Sequence, residues 1–103
     1  MLENFIKDDS EEPVVWGSKV EVEIRRRIRL AVAAYAYEYE NESIISDAEY
    51  DKESLLVNPK RNTGNSRLDR FFRNNFNPDT GQWIRKHPDL PRIKKIYNDY
   101  YKR

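Results

Sequence analysis

The chain contains no cysteine, which excludes a disulfide framework and any thiolate metal site. It has a single histidine, His87, so no histidine cluster is available to hold zinc. No apolar run approaches the roughly 18 residues needed to cross a bilayer. The acidic opening, Met1 to Glu12, lacks the basic and apolar regions of a signal peptide, so a cytoplasmic protein with no membrane partner is expected. Apolar residues are also sparse, at 38%, while charged residues reach 36%, which predicts a thin core under a wet helical surface. Seven Tyr, four Phe and two Trp compensate by supplying large buried areas from few positions. At 103 residues there is room for one domain and not for two.

The net charge is only +1, so no strong general attraction to nucleic acid follows from it. Its distribution is uneven. Glu3, Asp8, Asp9, Glu11 and Glu12 face one Lys near the start, and Arg92, Lys94, Lys95, Lys102 and Arg103 face one Asp near the end.

Residues 1–17 mix charge with Pro13 and Gly17 and show no sustained apolar period, so they read as an arm in which Val14, Val15 and Trp16 could dock as a short extended stretch. A single helical domain is expected over 18–103. Ser18 followed by Glu21 is a capping box opening a helix over Lys19 to Glu40. Its core face is Val20, Ile24, Ile28, Ala31 and Tyr35, and the pairs Glu21/Arg25 and Glu23/Arg27 fall on its wetter side. Ser46 and Glu49 form a second capping box, starting a helix over Asp47 to Val57 that Asn58-Pro59 ends. A third helix is predicted over Ser66 to Asn75, with Leu68, Phe71, Phe72 and Phe76 on one face. Asn77-Pro78-Asp79-Thr80-Gly81 is turn chemistry. Gln82 to Lys86 is expected to form a helical turn anchoring Trp83 and Ile84. A last helix starts at Pro88 or Asp89, with Leu90, Ile93, Tyr97 and Tyr100 together. No segment alternates with period two. The fold class is therefore all-α, a small bundle of about four helices.

The stretch Tyr35-Ala36-Tyr37-Glu38-Tyr39, followed by Ile45-Ser46-Asp47-Ala48-Glu49-Tyr50-Asp51, resembles the signature of the N-terminal Ia domain of NAD-dependent DNA ligases. In that family a Tyr-x-Tyr-His run leads through a short loop to Asp-Ala-Glu-Tyr-Asp. The domain closes over the nicotinamide mononucleotide (NMN) half of NAD. The resemblance covers about residues 25–57 and implies a nucleotide-binding set of Tyr37, Glu38, Asp47, Tyr50 and Asp51. Glu38 departs from the pattern, since the family has His there and a carboxylate would repel a phosphate. Lys86-His87-Pro88-Asp89-Leu90 is similar to a later Lys-His-Pro-Glu-Leu of the family. That equivalence would make Asn58 to Trp83 contain an insertion. A small free-standing protein of this kind also suggests a phage or prophage accessory protein.

The residues themselves allow two readings. At 100° per residue Asp47, Tyr50, Asp51 and Ser54 share one face of the second helix, with Ala48 and Leu55 on a face able to pack. A cationic nicotinamide ring can stack on tyrosine, and acceptor-only carboxylates suit ribose hydroxyls and a carboxamide. Equally, Ser46 and Glu49 are satisfied as a capping box, and Tyr35, Tyr37 and Tyr50 would serve as packing between two helices.

Ligase chemistry needs a lysine in Lys-x-Asp-Gly, and none of Gly17, Gly64 and Gly81 follows Lys-x-Asp. No Gly-rich phosphate loop, Ser-His-Asp set or metal-ligand spacing is present, and His87 reads as a residue leading into a helix. The expectation is a non-enzymatic module that needs no cofactor. It would take NMN or NAD as ligand, or dock on an NAD-using or DNA-processing enzyme. The alternative is an accessory protein that kept the fold without the ligand and binds a host protein. A third reading is nucleic-acid binding through Arg25, Arg26, Arg27 and Arg29. Arg61, Arg67, Arg70, Arg73, Arg85 and Lys86 would join them, interspersed with Phe71, Phe72, Phe76 and Trp83.

Overall fold

The structure is a computed structural model that describes residues 14–102. The part of the arm before Val14, with its acidic run, lies outside the described residues. Four helices follow in order: α1 (Lys19–Glu40), α2 (Asp47–Leu56), α3 (Ser66–Asn75) and α4 (Leu90–Tyr100). A 3-10 turn, η1 (Gln82–Lys86), precedes α4. The described residues contain no strand, and none of their helices is long and apolar enough to cross a membrane.

Both serine caps are present, and each is one-sided. Ser18 Oγ accepts from the Glu21 N–H at 3.2 Å, but the Glu21 carboxylate accepts from Gly17 N–H at 2.9 Å rather than from Ser18, whose N–H goes to Val15 O. Ser46 Oγ accepts from Glu49 N–H at 3.0 Å, while the Glu49 carboxylate pairs with Arg29 of α1. α1 ends where Asn41 takes a left-handed conformation, φ 55°, which asparagine tolerates better than most residues.

α1 is the central element, and α2, η1 and α4 all pack on it. From Leu30 to Ala36 it is buried on every side. Small alanines let the neighbours approach closely there, so the core is an α1 surrounded by Val57, Phe71, Phe72, Trp83, Ile84, Ile93 and Tyr97. Phe72 and Trp83 lie 5.5 Å apart between ring centres, and Phe76 and Trp83 5.1 Å. Such tilted and edge-on pairs add to burial.

Several expected faces differ. Ile28 is 41% exposed and Tyr100 78%, so neither belongs to the core. α2 packs through Tyr50 and Ser54, while Leu55, placed on its packing face by helical spacing, is 74% exposed. The reason is that Tyr50 finds an aromatic and polar socket across the fold, described below. Val14, Val15 and Trp16 do not dock on the core; they are exposed, with the Arg25 guanidinium 4.4 Å over the Trp16 ring.

Glu23 and Arg27, expected on the wet side, are buried. Arg27 donates to Glu23 at 2.8 Å and to Asp69 of α3 at 2.9 Å, and also to the carbonyl oxygens of Asn58 and Arg61. Asp69 in turn accepts from the Thr63 N–H and hydroxyl, and Glu23 from the Asn58 N–H. The loop between α2 and α3 is thereby tied to α1 through charge-assisted bonds.

Candidate functional site

A cavity of about 310 Å³ opens between α1, the loop after it, the start of α2 and the loop before η1. All five residues of the expected nucleotide-binding set, Tyr37, Glu38, Asp47, Tyr50 and Asp51, line it. Ala33 and Ala34 form its back wall, and Ser43, Ile44 and Ile45 one side. Asp79, Thr80, Gly81 and Gln82 form another, a contribution that sequence reasoning did not assign to the site. Turn chemistry was the only signal they gave. Gly81 lies against the same wall, since a Cβ there would meet Ala34 Cβ at 3.4 Å and the Tyr50 hydroxyl at 3.5 Å, both ordinary van der Waals contacts.

Tyr50 is held at both sides of its hydroxyl. It donates to Thr80 O at 3.2 Å and accepts from Trp83 Nε1–H at 3.2 Å. Burial pushes its pKa up; the Trp83 N–H and the neighbouring Ser54 hydroxyl oppose that rise, and the Glu38 and Asp51 charges add to it. Ser54 Oγ itself is buried and meets no partner in hydrogen-bond geometry. Tyr50 is therefore a fixed neutral ring. Tyr37, 63% exposed, is its solvent-facing counterpart in the lining.

The Glu38 carboxylate is not left alone. Arg85 pairs with Glu38 at 2.9 Å, and its guanidinium lies 5.2 Å over the Tyr39 ring. The Glu38 charge is thus offset from η1. Asp47, Asp51 and Asp79 have no ion-pair partner among the described residues, and no Lys or Arg lines the cavity. Aromatic faces with unpaired carboxylates favour an organic cation bearing hydroxyl or amide donors, and disfavour a buried phosphate. Among the described residues no group of three or more His, Cys, Asp or Glu side chains is set to hold a metal ion.

The residues of the nucleic-acid reading are differently employed. Arg25, Arg26, Arg27, Arg29 and Arg85 are each paired with a carboxylate. Phe71, Phe72 and Trp83 are buried, which removes them as stacking surfaces for bases. His87 is buried between α3 and α4, against Phe71 and Phe72, and does not approach the cavity containing Tyr50.

Compared with protein-family models, with curated proteins and with solved structures, the chain matches none, so the likeness to the ligase cap rests on the Tyr35–Asp51 residues themselves.

Proposed function

We propose that this protein is a non-catalytic binding module that holds a nicotinamide nucleotide in the cavity between α1 and α2. The observation that carries the reading is the convergence of Tyr37, Glu38, Asp47, Tyr50 and Asp51, far apart in two helices, on one open cavity. The cationic ring would lie against Tyr50 near Asp47 and Asp51, with ribose hydroxyls donating to the carboxylates. The phosphate would project past Tyr37 into solvent, because no cation waits for it inside.

Differential scanning fluorimetry with NMN tests this. A ligand at 100 times its Kd stabilises by about 2.7 kcal/mol. For a domain of this size that raises Tm by roughly 10–20 °C. Asp47→Asn and Tyr37→Ala, both at exposed positions, should leave the unliganded Tm nearly unchanged and reduce the shift. Absence of any Tm shift at millimolar NMN and NAD would remove the proposal.

A second reading gives this end of the molecule to a protein partner. Leu55 and Leu56, at the C-terminal end of α2, are 74% and 50% exposed. Docking on an NAD-using enzyme through that face predicts that Leu55→Glu abolishes complex formation and leaves any response to NMN intact.

A further inference from the structure

A second cavity, of about 220 Å³, lies nearer the N-terminal half of α1 and shares no residue with the first. Its walls are apolar: Ile24 and Ile28 of α1, Leu68 and Phe72 of α3, and Ile93 and Ile96 of α4. The exposure of Ile28 follows from this, since it borders an open space rather than a packed neighbour. The volume equals that of about seven waters, enough for one aromatic ring or a short acyl chain.

The polar part of the lining is richer in donors than in acceptors. His87 belongs to that part while being only 8% exposed. Nδ1 of His87 accepts from Asp89 N–H at 3.0 Å, which places the proton of the neutral ring on Nε2. That N–H has no acceptor among the described residues and is open to solvent, on a ring that is otherwise buried and lines the cavity. Arg92, also lining it, is exposed and has no ion-pair partner among the described residues. Asn65 uses its Oδ1 to cap α3, which leaves its amide N–H groups as donors. Arg27 adds nothing, because its guanidinium is consumed by Glu23, Asp69 and two carbonyls. Asp89 is the one anionic group on this rim.

Donors at His87, Arg92 and Asn65 in an otherwise largely apolar lining suit a head group that only accepts, and a carboxylate is such a group. We propose that this second cavity binds a small apolar carboxylic acid, a short acyl or single-ring aryl acid. Its carboxylate accepts from His87 Nε2–H and pairs with Arg92, while its body lies against Ile24, Ile28 and Ile93. The site is independent of nucleotide binding and stands whether or not the first cavity takes NMN.

The only histidine in the chain makes the test unambiguous. Its imidazole signals in the NMR spectrum of the full chain are followed during titration with hexanoate or benzoate, with hexanol and hexylamine as controls. Burial holds the His87 pKa at about 4, with Arg67 lowering it further and Asp89 opposing. The other charged groups on or beside this cavity are Arg27, which is paired with Glu23 and Asp69, and Arg92, which is exposed. A carboxylate at Nε2 must raise that pKa. The expected result is saturable movement of the His87 signals and an imidazole pKa raised by about one unit, with hexanol and hexylamine at least about tenfold weaker. Arg92→Gln, at an exposed position, should weaken hexanoate about fivefold or more and leave hexanol unchanged. The proposal is overturned if His87 does not respond on the order of 10 mM acid. It is equally overturned if hexylamine binds as well as hexanoate, which would make Asp89 the reader, or if Arg92→Gln changes nothing.

Discussion

Asp69→Ala should be among the most damaging substitutions at a charged position in this protein. Asp69 is 4% exposed and accepts three hydrogen bonds: from Arg27 at 2.9 Å, from Thr63 N–H at 2.8 Å and from the Thr63 hydroxyl at 2.6 Å. Removing it leaves the Arg27 guanidinium, 4% exposed, with Glu23 as its sole carboxylate. Breaking a buried pair from one side costs about 3–5 kcal/mol. The lower end applies here, because Glu23 still compensates the charge. A loss of about 3 kcal/mol in a domain of this length lowers Tm by roughly 12–24 °C. Urea and thermal unfolding followed by circular dichroism would measure it. Asp69→Asn, which keeps an acceptor for Arg27, should lose markedly less. Arg27→Met, which strands two buried carboxylates, should lose more. If Asp69→Ala falls within about 1 kcal/mol of the parent, the buried network is not what ties the α2–α3 loop to α1, and the reasoning fails.

Three further outcomes follow. His87, held at about 4 against an ordinary 6.5, is protonated in the unfolded chain before the folded one as pH falls. Its contribution is therefore complete above pH 6.5 and lost on the way down to about 4, by up to about 3 kcal/mol; His87→Phe should flatten the stability profile between these limits. Tyr35 is pushed up to about 12 by burial and its bond to Glu40, and Tyr97 to about 12 by its hydroxyl donating to Glu42. Unfolded tyrosines ionise before these two, so stability should fall as pH rises from 10 toward 12, with the last part of the tyrosinate absorbance, that of Tyr35 and Tyr97, appearing only as the fold is lost. Trp83→Phe removes the N–H donated to Tyr50 and shrinks a buried ring, which should destabilise by about 2 kcal/mol and weaken any ligand stacked on Tyr50, read together by calorimetry with and without NMN.

Local signals in this sequence carried the element boundaries well. A serine cap with apolar spacing locates α1, and apolar spacing alone α3, over the expected residues, and α2 starts after its serine cap but ends at Leu56, with Val57 extended before Asn58-Pro59. α4 starts at Leu90 because Asp89 is not helical. Faces were harder to read. Period alone placed Leu55 inward and Glu23 outward, yet a face is decided by what arrives opposite it. For α2 that is Trp83, whose indole N–H meets Tyr50 across 33 residues of chain. For Glu23 and Arg27 it is Asp69, 42 residues beyond Arg27. A lone acid beside Leu68 and Arg70 carries no mark of that destination. The same limit hid the 79–82 loop, whose contribution to the cavity depends on where η1 docks and not on any motif.

The seven consecutive enclosed positions of α1 from Leu30 to Ala36 have a consequence for how the molecule can be divided. A peptide of α1 alone would present a greasy cylinder to water and self-associate, and a peptide lacking it would keep three short helices with no common spine. Neither cut leaves an autonomous piece. Any fragment meant to isolate one cavity from the other must keep the whole of residues 19–40, because that single rod is a wall of both.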